Sequence, residues 1–102
     1  MKLVRVIYKN LDLPDEEKFG LQSQIRRSSV SIPSNIAEGW GRSSKSFVNF
    51  LKIARGSLYE LETQVLILID LNYIEDSSEI DSLISEISKM LGSLIYKIEN
   101  NS

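Results

Sequence analysis

The chain has 102 residues, 42% of them hydrophobic and 25% charged, which is enough for one folded domain over 1–102 with a single core and is unlike a disordered tail. It holds neither cysteine nor histidine, which removes disulfides, thiolate chemistry, sulfur or imidazole metal sites and the commonest general base near neutral pH. Its net charge of −2 hides an asymmetry: residues 1–60 carry ten Lys/Arg against six Asp/Glu, and residues 61–102 carry two against eight. A basic face beside an acidic one fits this map, as does a solvated helical surface whose charges cluster.

The first segment, MKLVRVIYKN, is interrupted by Lys2, Arg5 and Lys9, so it reads as neither signal peptide nor membrane span, and the expected location is cytoplasmic. Leu3, Val4, Ile7, Tyr8 and Leu11 recur at steps of three and four and predict a short amphipathic helix. Pro14 and the acidic run Asp15, Glu16 and Glu17 suit the start of a second helix, because proline tolerates the first turn and carboxylates favour the positive end of the dipole. Its stripe is Leu21, Ile25, Ile32, Ile36 and Trp40. Pro33 lies inside that stripe, where it costs about 3 kcal/mol, so a kink near Ser29 to Pro33, or a break and restart, is expected.

Ser43 or Ser44 can cap a third helix with the ladder Phe47, Leu51, Ala54, Leu58, Leu61, Val65 and Leu68, the 4,3 rhythm of a bundle seam. Val65 to Ile69 is apolar on every face and could be a strand by itself, but the unbroken ladder before it favours helix. After the turn signals from Asn72 to Ser78, Asp76 and Glu79 form a capping-box-like pair. Ile80, Ile84, Ile87, Leu91, Leu94 and Ile98 make the last seam, widened by Leu83 and Met90. The expected fold is all-α: an antiparallel up-down four-helix bundle with a shortened first helix and a proline kink in the second.

Three motifs carry chemistry or imitate it. Gly39-Trp40-Gly41-Arg42-Ser43-Ser44-Lys45-Ser46 lacks the spacing of a phosphate loop and follows a helix instead of a strand. Glu38, Glu60 and Glu62 could suggest a bundle metal centre, but that constellation needs Glu-x-x-His; pairing with Arg26, Arg27, Arg42 or Arg55 across helices is expected instead. Arg26, Arg27, Arg42, Lys45, Lys52 and Arg55 fall within thirty residues of a helix-turn-helix with Trp40 in its connection. Cations that contact phosphates beside an aromatic suit sequence-tolerant nucleic-acid binding. The competing reading makes these cations intersubunit ion pairs and packs Trp40 in an interface. The chain is expected to be no enzyme and to need no cofactor, metal or small-molecule substrate.

The strings Gln24-Ile25-Arg26-Arg27, Ser31-Ile32-Pro33-Ser34-Asn35-Ile36-Ala37-Glu38-Gly39 and Gly41-Arg42, with Phe47, Phe50-Leu51, Ala54, Gly56-Ser57 and Glu60-Leu61-Glu62, closely resemble the four-helix-bundle proteins encoded in intervening sequences of bacterial 23S ribosomal RNA. That family resembles in turn the accessory variability protein of diversity-generating retroelements, which works with a reverse transcriptase and binds nucleic acid. The resemblance implies a homopentamer, an RNA-related role and an RNA or RNA-processing partner. It makes Asn35, Glu38, Gly39, Trp40, Gly41, Glu60 and Glu62 a structural or interface motif. Relatives begin with a longer first helix than the segment Leu3 to Asn10, so an open groove at one end of the bundle, or a start lying upstream, is expected. The net charge is acidic, unlike that of the strongly basic retroelement proteins. The alternative is a protein-interaction scaffold whose acidic last helix meets a basic partner such as a polymerase, without direct nucleic-acid binding.

Overall fold

The structure, a computed structural model, describes residues 1–101 and consists of α1 (Lys2–Asn10), α2 (Leu21–Gly39), α3 (Ser44–Asp70) and α4 (Ser78–Asn100), with no strand among the described residues. α1 lies between α2 and α4, while α3 packs on α2 and α4 from the other side. Cross-helix pairs set the directions. Ser28 and Ser31 of α2 meet Glu60 and Ser57 of α3, so numbering falls on one helix as it rises on the other. Lys52 meets Glu99 near the end of α4, Leu66 shares a groove with Ser85 nearer its start, and Tyr8 of α1 and Met1 just before it lie against Arg26 and Pro33. The result is the expected antiparallel up-down bundle, 47 Å long.

The α3 ladder is the spine of the core: Leu51, Ala54, Leu58, Leu61, Val65 and Leu68 are buried and Phe47 is half-buried. Facing it are Ile25 and Ile32 of α2, Leu3 and Ile7 of α1, and Ile80, Ile84, Leu91 and Ile95 of α4. Each such side chain contributes about 1.5–3 kcal/mol when fully buried. Val65 to Ile69 is helical, and Leu66 and Ile67, on the outer side of that run, remain exposed.

Helix ends follow local chemistry. Ser43 Oγ accepts the Ser46 N–H at 3.3 Å and caps α3. At the other end the Tyr73 N–H donates to the Leu68 carbonyl and the Asn72 N–H to the Ile69 carbonyl, a Schellman motif with Asn72 at φ 61°. Before α4, Asp76 Oδ1 accepts the Ser78 N–H at 2.9 Å, and this bond holds the Asp76 carboxyl below its ordinary 3.8. The cap differs from the expected box: Ser77 Oγ donates to Asp81, and Glu79 makes no return bond to Asp76.

Three expectations for α2 change. Pro14 starts no α-helix; Asp15–Glu17 form one 3₁₀ turn, and α2 begins only at Leu21 because the chain turns at Gly20. α2 then runs through Pro33 without interruption, which excludes the break and restart. Trp40 leaves the apolar stripe: it stands just past the end of α2 with extended backbone, φ −64° and ψ 133°, and is 75% exposed.

Candidate nucleic-acid interface

The segment 31–39 is built into the α2–α3 contact. Ser31 Oγ lies 2.8 Å from Ser57 Oγ, and Asn35 Nδ2 donates to both the Ser31 carbonyl and its hydroxyl. One turn earlier the Ser28 hydroxyl lies 2.6 Å from Glu60 Oε1 and 2.9 Å from the Gln24 carbonyl, so its one proton serves either acceptor. Gly39 closes the seam: a Cβ there would stand 2.6 Å from Phe50 Cβ and 3.0 Å from a Phe47 ring carbon. Gly41, at φ +84°, makes the turn into α3 in the left-handed region that glycine enters freely.

The predicted carboxylate–arginine pairs form only once. Arg42 donates to Glu38 Oε1 and to the Glu38 carbonyl, both at 2.8 Å, with its guanidinium 5.0 Å from the Phe50 ring centre. This pair is local, between the last turn of α2 and the connection, and does not cross helices. Glu60 takes Ser28 and, at 3.4 Å, Gln64 as partners instead of an arginine. Glu62 lines a groove between α3 and α4 and has no ion pair among the described residues.

The six candidate cations do not form one patch. Arg42 sits at the α2–α3 turn, compensated by Glu38. Lys45 and Lys52 line a shallow groove of about 480 Å³ between α3 and the end of α4, where Lys52 Nζ is 3.1 Å from Glu99 Oε2. Arg55 is half-buried on α3 with no ion pair among the described residues. Arg26 and Arg27 belong to the opposite end, more than ten residues or roughly 15–20 Å along α2 from the turn. Trp40 meets Phe47 edge-on, ring centres 5.7 Å apart.

Arg26 and Arg27 instead share a cleft of about 400 Å³ with Tyr8, Lys18, Phe19 and Ser23. The Arg26 guanidinium lies 4.7 Å from the Tyr8 ring centre, a cation–π contact, and its Nε is shielded from solvent without a hydrogen-bond partner. Lys18 Nζ is 2.9 Å from Asp12 Oδ1, which holds Asp12 below its ordinary value and Lys18 above its own. Sequence reasoning missed Tyr8, Lys18, Phe19 and Ser23 as neighbours of Arg26. The available signal was Phe19, an aromatic in a loop with no helical stripe to join.

A second depression is apolar. Met1, Pro33, Ile36, Ala37, Ile87 and Met90 line a groove of about 610 Å³, with the Trp40 indole at its rim. It continues the trough that α1 fills: the nine residues of α1 span ~14 Å, against ~35 Å for the 23 of α4.

Fold and segment 31–39 together point to one lineage, and comparison with known families agrees: the 23S rRNA-intervening sequence protein family matches residues 1–93. The chain belongs to that family. No curated protein matches it. Ser31 and Gly39 of segment 31–39 are points at which α2 meets α3 closely, and Asn35 holds the Ser31 hydroxyl from within α2. Among the described residues no three His, Cys, Asp or Glu side chains converge to hold a metal ion, and no helix is long and apolar enough to cross a membrane.

Proposed function

We propose that the protein is a non-enzymatic, cytoplasmic, homo-oligomeric bundle that associates with RNA through cations of residues 1–60. The observation that carries this reading is the charge division, ten cations against six carboxylates in that part, in a chain whose family is defined by ribosomal RNA intervening sequences. Oligomerisation is supported by the outer face of α3, where Ile53, Tyr59, Leu66 and Ile67 are exposed within one helix. A pentamer is the expected state from the family resemblance, and light scattering would then give a mass near five times 11.6 kDa.

The test is fluorescence anisotropy of the purified protein with labelled ribosomal RNA fragments at low and near-physiological salt. Micromolar or tighter binding that weakens steeply with salt is expected, because each cation–phosphate contact releases counterions. Absence of binding at low salt overturns the reading. A protein-interaction scaffold is the second reading, favoured by the apolar groove under Trp40, which suits an apolar helix better than a phosphate backbone. Capture of one defined protein that survives nuclease treatment and is lost on Ala37→Glu distinguishes it.

A further inference from the structure

We propose that the cleft between α1 and the first half of α2 binds an unpaired RNA nucleotide, with its base stacked on Phe19 and its flanking phosphates held by Arg26 and Arg27. This rests on the RNA-associated reading above and gives it a site and a form of RNA.

Phe19 is 98% exposed, an unusual position for a side chain that otherwise buries 150–250 Å². Its loop is tied down on both sides. The Leu13 N–H donates to Gln22 Oε1 at 2.7 Å, the Tyr73 hydroxyl to Glu17 Oε2 at 3.1 Å, and Lys18 pairs with Asp12. The Gly20 N–H also donates to the Glu17 carbonyl. The ring is therefore held out by an anchored turn, and little ordering entropy remains to be lost on stacking.

The cations beside it differ from those at the α2–α3 turn. Arg42 and Lys52 are each within 3.1 Å of a carboxylate, whereas Arg26 and Arg27 have no ion pair among the described residues. Arg26 lies over the Tyr8 ring, and Asp12, the neighbouring carboxylate, is engaged by Lys18. An exposed aromatic with unpaired guanidinium groups in one cleft is the arrangement that single-stranded nucleic acid uses, because every base has a face to stack and every linkage a phosphate. A duplex, with its bases already stacked, gains nothing from Phe19. The cleft therefore selects loops, bulges and ends.

The experiment measures anisotropy of a labelled single-stranded RNA of about ten nucleotides, a length within the usual range for such sites, and of the same strand in duplex. The proteins are wild type, Phe19→Ala, Phe19→Trp, Arg27→Gln and, as a charge control outside the cleft, Lys97→Gln. Expected are preference for the single strand, about tenfold weaker binding for Phe19→Ala, recovery in Phe19→Trp, and a salt slope shallower by about one for Arg27→Gln but not Lys97→Gln. Wild-type binding that Phe19→Ala leaves unchanged, or that favours the duplex, overturns the site while the RNA reading stands. No wild-type binding to any RNA removes both. A change of oligomer mass in Phe19→Ala without loss of affinity makes Phe19 a subunit contact and also overturns the proposal.

Discussion

Gly39→Ala should destabilise the protein, although alanine is the better helix former. The new Cβ would stand 2.6 Å from Phe50 Cβ, an atom fixed to the α3 backbone, and 3.0 Å from the Phe47 ring. Relief requires α2 and α3 to separate along the seam that Ser31, Ser57, Ser28 and Glu60 define, so neighbouring hydrogen bonds stretch with it. Overpacking of this kind costs about 1–3 kcal/mol, and the propensity gain, under about 1 kcal/mol at a terminal helical position, offsets part of it. The net loss is about 1–2 kcal/mol. For a domain of this size that lowers the melting temperature by roughly 4–8 °C per kcal/mol. Gly56→Ala and Gly92→Ala are the internal comparison: nothing lies within 4 Å of a Cβ at either site, so both should raise stability by about 0.5–1 kcal/mol. Chemical denaturation at one fixed protein concentration compares all three variants under the same mass-action contribution from assembly. If Gly39→Ala is as stabilising as the other two, the close approach of α2 and α3 at this residue is wrong.

Gly41→Ala forces a side chain into the left-handed region at φ +84° and should cost about 1–2 kcal/mol by the same denaturation assay, with RNA affinity corrected for folded fraction unchanged. Asn72→Gly keeps the Schellman turn and relieves its Cβ, so a gain of up to about 1 kcal/mol is expected. Stability should also depend on pH at both ends. Asp12 and Asp76 are depressed in the fold, so their contributions are present above the unfolded value of 3.8 and are lost as pH falls through the lower folded values. Tyr73 is raised by its hydrogen bond to Glu17, so its contribution is complete below 10.0 and is lost as pH rises through the higher folded value. Asp76→Asn should flatten the acid limb of a melting-temperature profile and Tyr73→Phe the alkaline limb; unaltered limbs count against those two hydrogen bonds.

Much of the fold was legible because helices write their buried face into local spacing. The 4,3 ladder from Phe47 to Leu68 specified α3 and correctly carried Val65 to Ile69 as helix, and Ser43 and the turn signals from Asn72 marked its ends. The string Ser31 to Gly39, with the matches on either side of it, carries the family resemblance in the sequence itself. The site was less legible. Composition counted the cations of residues 1–60, but not that Glu38 and Glu99 compensate two of them or that Tyr8, Phe19, Arg26 and Arg27 share a cleft.

The sequence alone therefore determined the division of charge, a matter of composition, and four helices with their inward faces, which are properties of residues three and four apart on one helix. Tertiary structure decided the rest: α1 covering only part of the α2–α4 trough, Trp40 turned outward, Glu60 bonded to Ser28, and Gly39 as a contact point. The reason is one of range. Periodicity tells each helix which side to bury, while the partner of a given side chain on another helix depends on how the two helices are aligned along their lengths.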